Sequence, residues 1–489
     1  MTTTTARPGT APAASYADRA DARQAAAARP VRLRPPVRRA WWPDAVGMFT
    51  WGTLLVVTAL WVANSGLQDV VAGPAEALSS LGRLTGLWAS NLLLLQVLGM
   101  ARVPVIERAY GADRLAKWHR WVGFSSFHLL LVHIVTLVLA ENLYNGTGVV
   151  QSAWSMALTY PGMLLAWAGT LMITMVVVLS MRAARRRMRY ESWHLLHLYA
   201  YLGVGIALPH QLWTGTDLTA QPWAAAYWWG LYGAVLVLVL VYRVGVPLAL
   251  SARHRFEVAS VVPAGRGTVT VHVTGRHLEA LRAEAGQYFV WRFLTGPGWT
   301  RGHPLSLSAA PSTAGLRVTI GIDGDDGERI ASLRPGTRVL VEGPYGRMVT
   351  SARTRRRIAA FAAGTGVAPV MALLHDNAAK SRTTGADTLV QRLSDDQDGT
   401  LLQDAAWLAD QFGMRHVTLV GRRSRTGTSW LPEEYGHVAG PQAVRLLVPD
   451  LDEHDVFVCG PDGWADAVVA DVRAAGVPES AIHLERYTW

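Results

Sequence analysis

The sequence predicts three parts in a row: a membrane all-α six-helix bundle, an antiparallel β-barrel, and an α/β domain built on a parallel sheet. Three observations predict it. Six long apolar stretches fill the first half; short Val/Ile/Leu-rich stretches broken by Gly and Pro follow; strand and helix patterns then alternate to the C-terminus. At 489 residues the chain also exceeds a single compact domain of roughly 100–200 residues.

Residues 1–40 are rich in Ala, Thr, Pro and Arg without periodicity, and no apolar core follows closely enough for a secretory signal. They are expected to form a disordered cytoplasmic tail. Residues 41–252 hold the six stretches, near 45–64, 83–101, 119–140, 158–181, 194–213 and 223–250, each approaching the roughly 20 residues that cross about 30 Å of hydrocarbon. Arginines cluster in the tail, between Arg102 and Arg120, at Arg182 to Arg189, and after the sixth stretch at Arg243 to Arg255. The alternate loops contain Asp69, Glu76, Glu141 and Asp217 but no Lys or Arg, so the positive-inside rule puts both termini and everything after residue 250 in the cytoplasm, with the chain in a cell membrane. Fourteen of the twenty Trp precede residue 250, which suits contact with lipid at the membrane interfaces.

The barrel is expected over 253–348, from VTVHVTG, GQYFVWRFL, LRVTIGI and RVLVEG, and the α/β domain over 349–489. A net charge of +10 and a pI near 10.0 would suit a nucleic-acid partner, but the basic residues sit beside apolar stretches, so no nucleic acid is expected. Cys459 is the single cysteine, which excludes an internal disulfide and any all-cysteine metal site. The oligomeric state is not legible.

Ionisable side chains at bilayer depth mark function by default. The third stretch carries His119, His128 and His133, and the fifth carries His194, His197 and His210. His119 and His133 are 14 residues apart, about 20 Å along a helix and within about 40° of one face. His197 and His210 are 13 apart, so the heights match, and because both stretches run outward His119 lies level with His197 and His133 with His210. Paired imidazoles at two depths suit the axial ligands of two b-type haems. One step fits poorly, since 13 residues turn an ideal helix by about 220°; Pro209 would repair it by interrupting the helix before His210. His128, about 180° round from His119, is read as non-ligating, and His194 stands as the alternative to His197.

HPLSLSAAP (His303 to Pro311), GPYG (Gly343 to Gly346), AGTGVAP (Ala363 to Pro369), CGP (Cys459 to Pro461) and the terminal ERYTW resemble the ferredoxin–NADP reductase module, and joined to the histidine-bearing stretches they resemble the ferric reductase and NADPH oxidase superfamily from about residue 80 onward. The resemblance implies that His303, Pro304, Leu305 and Ser306 contact FAD, with the Ser306 hydroxyl near the reactive flavin nitrogen and Leu305 standing where Phe is commoner. It implies that Cys459 sits by the nicotinamide and that Trp489 stacks on the flavin. The turn at Gly364, Thr365 and Gly366 opens a helix at Val367, Ala368 and Pro369, and the free N–H groups of the turn and helix start suit a pyrophosphate, with Gly460 and Pro461 expected at the same edge of one Rossmann-like sheet. Arg422 and Arg423 in GRRSR suit a 2′-phosphate, which favours NADPH while leaving NADH open. The segment 379–411 matches nothing familiar.

The expected activity is transfer of electrons from NADPH to FAD, to the inner haem, to the outer haem, and on to an acceptor outside. Ferric iron or a ferric chelate is the first candidate acceptor, oxygen giving superoxide the second, and a partner protein a third. A haem-binding membrane sensor or transporter with a degenerate reductase domain is the reading from another class.

Overall fold

The computed structural model describes residues 41–188, 190–380, 387–395, 399–423 and 429–486. The chain divides into two compact units, the first ending at Val246 and the second running from Pro247 to the C-terminus.

In the first unit α1 (Trp42–Ala63) opens on Pro43, and α2 (Pro74–Met100) opens on Pro74, the helical position that needs no N–H. Next come α3 (Ala112–Asn145), α4 (Met163–Ser180), α5 (Tyr190–Ile206), α6 (Leu208–Trp213) and α7 (Pro222–Leu240). Glycines with positive φ bracket α3, at Gly111 and Gly146, and Gly162 precedes α4. A π-turn, Val241–Gly245, joins α7 to α8 (Val246–His254).

Among the described residues five helices are long and apolar enough to cross a membrane: Trp42–Ala63, Pro74–Met100, Arg114–Asn145, Met163–Ser180 and Pro222–His254. The stretch over 194–213 is two helices, α5 and α6, separated at Ala207 where the Pro209 interruption was expected, because Pro209 supplies no N–H to the preceding turn. The second and third helices are longer than the apolar stretches suggested.

Large apolar side chains such as Trp51, Leu171, Leu195 and Leu236 point outward, as lipid-facing helices require, while Val57, Leu60, Leu94, Trp228 and Leu231 form the inner core. Polar groups inside bond between helices. Asn91 Nδ2 donates to Thr53 Oγ1 at 3.1 Å, and the Trp61 indole donates to Ser80, tying α2 to α1.

After α8 the second unit holds two antiparallel sheets. One has the order β1–β2–β5 (Glu257–Gly265, Thr268–Thr274, Leu316–Gly321) and the other β4–β3–β6 (His303–Ser306, Tyr288–Phe293, Val339–Tyr345). Isolated pairings at Leu307–Val318 and Glu257–Arg338 link their margins, and α9 (Gly324–Ala331) follows β5. Alternating inward residues, including Val271, Val273, Phe289, Trp291, Phe293 and Val318, fill one core.

A parallel sheet follows in the order β11–β10–β7–β8–β9 (Ile482–Glu485, His454–Cys459, Arg357–Ala363, Thr388–Leu393, Arg415–Val420). Its central strands β7, β8 and β10 are buried almost throughout, as a sheet covered on both faces must be. Crossovers are made by α10 (Val367–Lys380), α11 (Leu402–Phe412), α12 (Gly440–Leu447) and α13 (Asp462–Ala474).

Candidate functional site

Two imidazole pairs stand inside the helical unit. His119 of α3 and His197 of α5 have ring centroids 5.8 Å apart, and His133 of α3 and His210 of α6 have centroids 6.5 Å apart. The separation at Ala207 frees the His210 ring from the angle that one unbroken helix would impose on it. His128 bonds Phe124 O, four residues back on its own helix, at 2.8 Å. His194 packs on its neighbour Trp193, whereas the ring facing His119 is His197.

Two glycines make room for the His133 and His210 pair. The His133 Nδ1 lies 2.7 Å from Gly82 O on α2 and donates to it, and a Cβ at Gly86 would lie 2.4 Å from the same nitrogen. Gly82 itself meets α3, where a Cβ would fall 2.7 Å from Leu137. Glycines four apart let two membrane helices approach closely, and here that approach seats a histidine ring. Gly169 of α4 and Gly203 of α5 do the same for the other helix pair, a Cβ on Gly169 lying 2.6 Å from Gly203 O.

These donors suit a porphyrin iron. With metal–imidazole bonds of about 2.0 Å on both sides, two ring centroids stand about 6 Å apart, close to both observed separations. His119 Nδ1 is buried with no side-chain hydrogen-bond partner among the described residues, and its ring lies against the Gln96 backbone. A neutral imidazole needs one bare nitrogen to act as a ligand.

In the second unit, His303, Pro304, Leu305 and Ser306 form β4, paired with Trp291, Val290, Phe289 and Tyr288 of β3. Ser306 is buried, and the other three are half-buried. Arg329 Nη2 donates to His303 Nε2 at 2.9 Å, and Arg301 pairs with Asp326 at 2.8 Å. Burial holds the His303 imidazole below its ordinary value, with Asp326 opposing and Arg329 and Arg301 adding to the drop. The strand thus presents an imidazole whose Nε2 accepts from an arginine. Tyr345 of the GPYG segment packs on Tyr288, centroids 5.6 Å apart.

The glycine turn after β7 and the CGP segment after β10 lie side by side, because β7 and β10 are neighbours with Ala362 paired to Cys459. The approach is close: a Cβ on Gly366 would fall 2.4 Å from Cys459 O. Gly364 has φ 55° and begins the turn into α10, so its conformation favours glycine. Strand order reverses direction here, with β8 on one side of β7 and β10 on the other, which is where open α/β sheets bind ligands.

A cleft of about 670 Å³ opens at this edge. Gly364, Thr365, Gly366, Gly460 and Pro461 line one wall, and Arg266, Gly267, Thr268 and Asp323 from the antiparallel part line the other. Cys459 is fully buried in the core that also holds Val367 and Ala368, and Pro369 is buried in the first turn of α10. Arg422 and Arg423 are exposed, and Arg423 donates to Ser429 O and Gly463 O, both at 3.1 Å. Trp489 lies outside the described residues, as do Ser424 and Arg425 of the basic turn.

Sequence reasoning missed several residues of these sites. Gly82 and Gly86 form a Gly-x-x-x-Gly spacing that could have been found. Asp395, Thr400 and Asp462 at the cleft have no motif. The unfamiliar segment supplies two of them, because Leu401 N donates to Ala264 O and Thr400 Oγ1 to Thr268 Oγ1, which carries this stretch against the antiparallel part.

Residues 85–208 match the family described as ferric reductase like transmembrane component. Among known relatives, the ferredoxin–NAD(+) reductase component of the alkene monooxygenase system of Xanthobacter autotrophicus is 27% identical over 154 residues, 31% of this chain and 46% of that protein. The protein-methionine-sulfoxide reductase heme-binding subunit MsrQ of Polaromonas naphthalenivorans is 27% identical over 187 residues, 38% of this chain and 77% of that protein. The chain thus spans less than half the length of the first of these relatives. A solved FAD/NAD binding domain of nitric oxide dioxygenase from Vibrio cholerae superposes with a TM-score of 0.39 and 20% identity, covering 48% of this chain and 98% of that one. The chain is a multi-pass membrane protein that joins a ferric reductase-like membrane domain to a ferredoxin reductase-like half.

Proposed function

We propose that this protein is a transmembrane oxidoreductase that carries electrons from NADPH through FAD and two b-type haems to an acceptor across the membrane, with ferric iron or a ferric chelate as that acceptor. The observation that carries the proposal is the pair of imidazole pairs, 5.8 and 6.5 Å between centroids, in the same chain as a dinucleotide-type cleft. In this reading α5 and α6 together form a sixth span, the two antiparallel sheets form the FAD barrel over 253–348, and 349–489 is the NADPH domain. The loop charges keep both termini and the reductase half in the cytoplasm.

Each residue set has a physical task. His119 with His197, and His133 with His210, hold the inner and outer irons through one bare nitrogen apiece. Ser306 and the half-buried His303, Pro304 and Leu305 hold the flavin ring out of water, and the terminal Trp489 covers it. The N–H groups at Gly364, Thr365 and Gly366 receive the dinucleotide pyrophosphate at the start of α10, while Gly460 and Pro461 bound the nicotinamide side. Arg422 and Arg423 meet the 2′-phosphate. When bound, the flavin accepts a two-electron hydride and releases electrons singly to haem iron, which changes by one.

The test is spectroscopic and then kinetic. NADPH added to the purified full chain without oxygen should bleach flavin absorbance and raise reduced b-type haem bands, and Fe(III) should then reoxidise both. NADPH consumption that depends on oxygen and yields superoxide, with no Fe(III) dependence, replaces the proposed acceptor with oxygen. A protein that binds haem but never oxidises NADPH is a sensor or transporter and sinks the enzymatic reading.

A further inference from the structure

We propose that Ser180 and Thr214 are positioning residues that fix the ligating tautomer of one histidine in each pair, Ser180 for His197 and Thr214 for His210. This rests on the haem reading above. Thr214 Oγ1 lies 2.7 Å from the His210 carbonyl and 2.8 Å from His210 Nδ1. The carbonyl has no proton, so the Thr214 hydroxyl donates to it, the ordinary back-bond of a helical threonine. With that proton committed, Thr214 Oγ1 can only accept from His210, so His210 carries its proton on Nδ1 and leaves Nε2 bare.

The same logic holds at the other level with different parts. Ser180 Oγ donates to Val176 O at 2.7 Å and therefore accepts at 3.2 Å from His197 Nδ1. The Trp193 indole also donates to Ser180 Oγ, at 3.4 Å, which further fixes the hydroxyl as an acceptor. His133 reaches the same tautomer by donating Nδ1–H to Gly82 O, a main-chain acceptor. The His119 ring is buried against the Gln96 backbone, and its Nδ1 makes no side-chain hydrogen bond among the described residues.

The arrangement has an electronic consequence. A histidine that donates its second N–H is a more basic ligand, and a more basic ligand favours the more positive, oxidised iron. Removing either hydroxyl should therefore make the corresponding haem easier to reduce, and only that haem. Both ligands of the outer pair are anchored through Nδ1, and in the inner pair Ser180 anchors His197 in the same way.

The experiment is a potentiometric titration of haem absorbance in the purified full chain, with haem content measured by pyridine haemochrome. In T214V one of two redox components should move to more positive potential while the other stays; in T214S, which keeps the hydroxyl, both should match wild type. S180A should move the other component, and S180T should restore it. Loss of one haem in T214V with retention in T214S supports the same assignment, because a ligand's outer hydrogen-bond partner typically changes metal affinity roughly 10- to 100-fold. Wild-type potentials and full haem in both T214V and S180A overturn the proposal, as do equal shifts in T214V and T214S. A wild type free of haem fails at the haemochrome assay, before any variant is made, and brings down the haem reading itself.

Discussion

The two halves build their sites from opposite materials. In the membrane half the reactive groups are side chains, four histidines on three helices, and the main chain serves mainly as acceptor and spacer, as at Gly82 and Gly86. In the reductase half the nucleotide site is mostly main chain, the turn at Gly364 to Gly366 against the end of β10, and side chains such as Cys459 are packed away. The solvent explains the difference. Lipid offers no hydrogen bonds, so helices satisfy their own N–H groups and have none to spare for a ligand, whereas strand ends and helix starts in water expose theirs.

The sharpest break in this comparison comes from giving a glycine a side chain in each half. Gly86→Val places carbon within 2.4 Å of where His133 Nδ1 now lies, so the purified protein should lose about one of the two proposed haems while keeping flavin. Haem-to-flavin stoichiometry from absorbance checks it. Gly366→Val drives a side chain into Cys459 O, which is main chain and cannot swing aside, so KM for NADPH should rise by roughly tenfold or more with both haems retained. If Gly86→Val spared haem, the close helix approach would have no role in seating the ring.

A smaller effect sharpens the reductase side. Replacing both Arg422 and Arg423 by alanine should lower the NADPH-over-NADH preference in kcat/KM by roughly tenfold, the loss of one charge-assisted contact at about 1.4 kcal/mol. Unchanged preference would move the 2′-phosphate elsewhere. Smaller again is the seam inside the reductase half, where Arg317 of β5 pairs with Asp404 of α11 at 2.5 Å, with His375 beside it. Burial alone would raise the Asp404 carboxyl, but Arg317 and His375 hold it well below the ordinary carboxylate range. Its stabilising effect is therefore present above the unfolded value of about 4 and fades as pH falls below it. Asp404→Asn should lower the unfolding free energy of this half by about 2 kcal/mol at pH 7, with the difference from wild type shrinking below pH of about 4. Chemical denaturation followed by flavin fluorescence measures both.

The sequence made some of this comparison legible and hid the rest for identifiable reasons. Histidine spacing exposed the two levels, because rise per residue is fixed in a helix and membrane topology aligns neighbouring spans. The break at Ala207 was signalled by Pro209, but its effect on the apolar length was not, since 194–213 is mostly apolar yet divides into α5 and α6. HPLS, GTGVAP and CGP were legible as main-chain geometry written in Gly and Pro. Thr400 and Asp395 were not, because they reach the cleft through long-range bonds such as Leu401 N to Ala264 O that no local pattern encodes. The hydroxyls of Ser180 and Thr214 escaped because each looks like any helical Ser or Thr until the histidine beside it is located.

The account depends most on the paired imidazoles, and haem stoichiometry in single alanine variants tests it most directly. His119→Ala and His197→Ala should each remove the same haem, His133→Ala and His210→Ala the other, and His128→Ala neither, as quantified by pyridine haemochrome and the redox component that disappears. Full haem content in all four ligand variants, or loss of haem in His128→Ala alone, would contradict it.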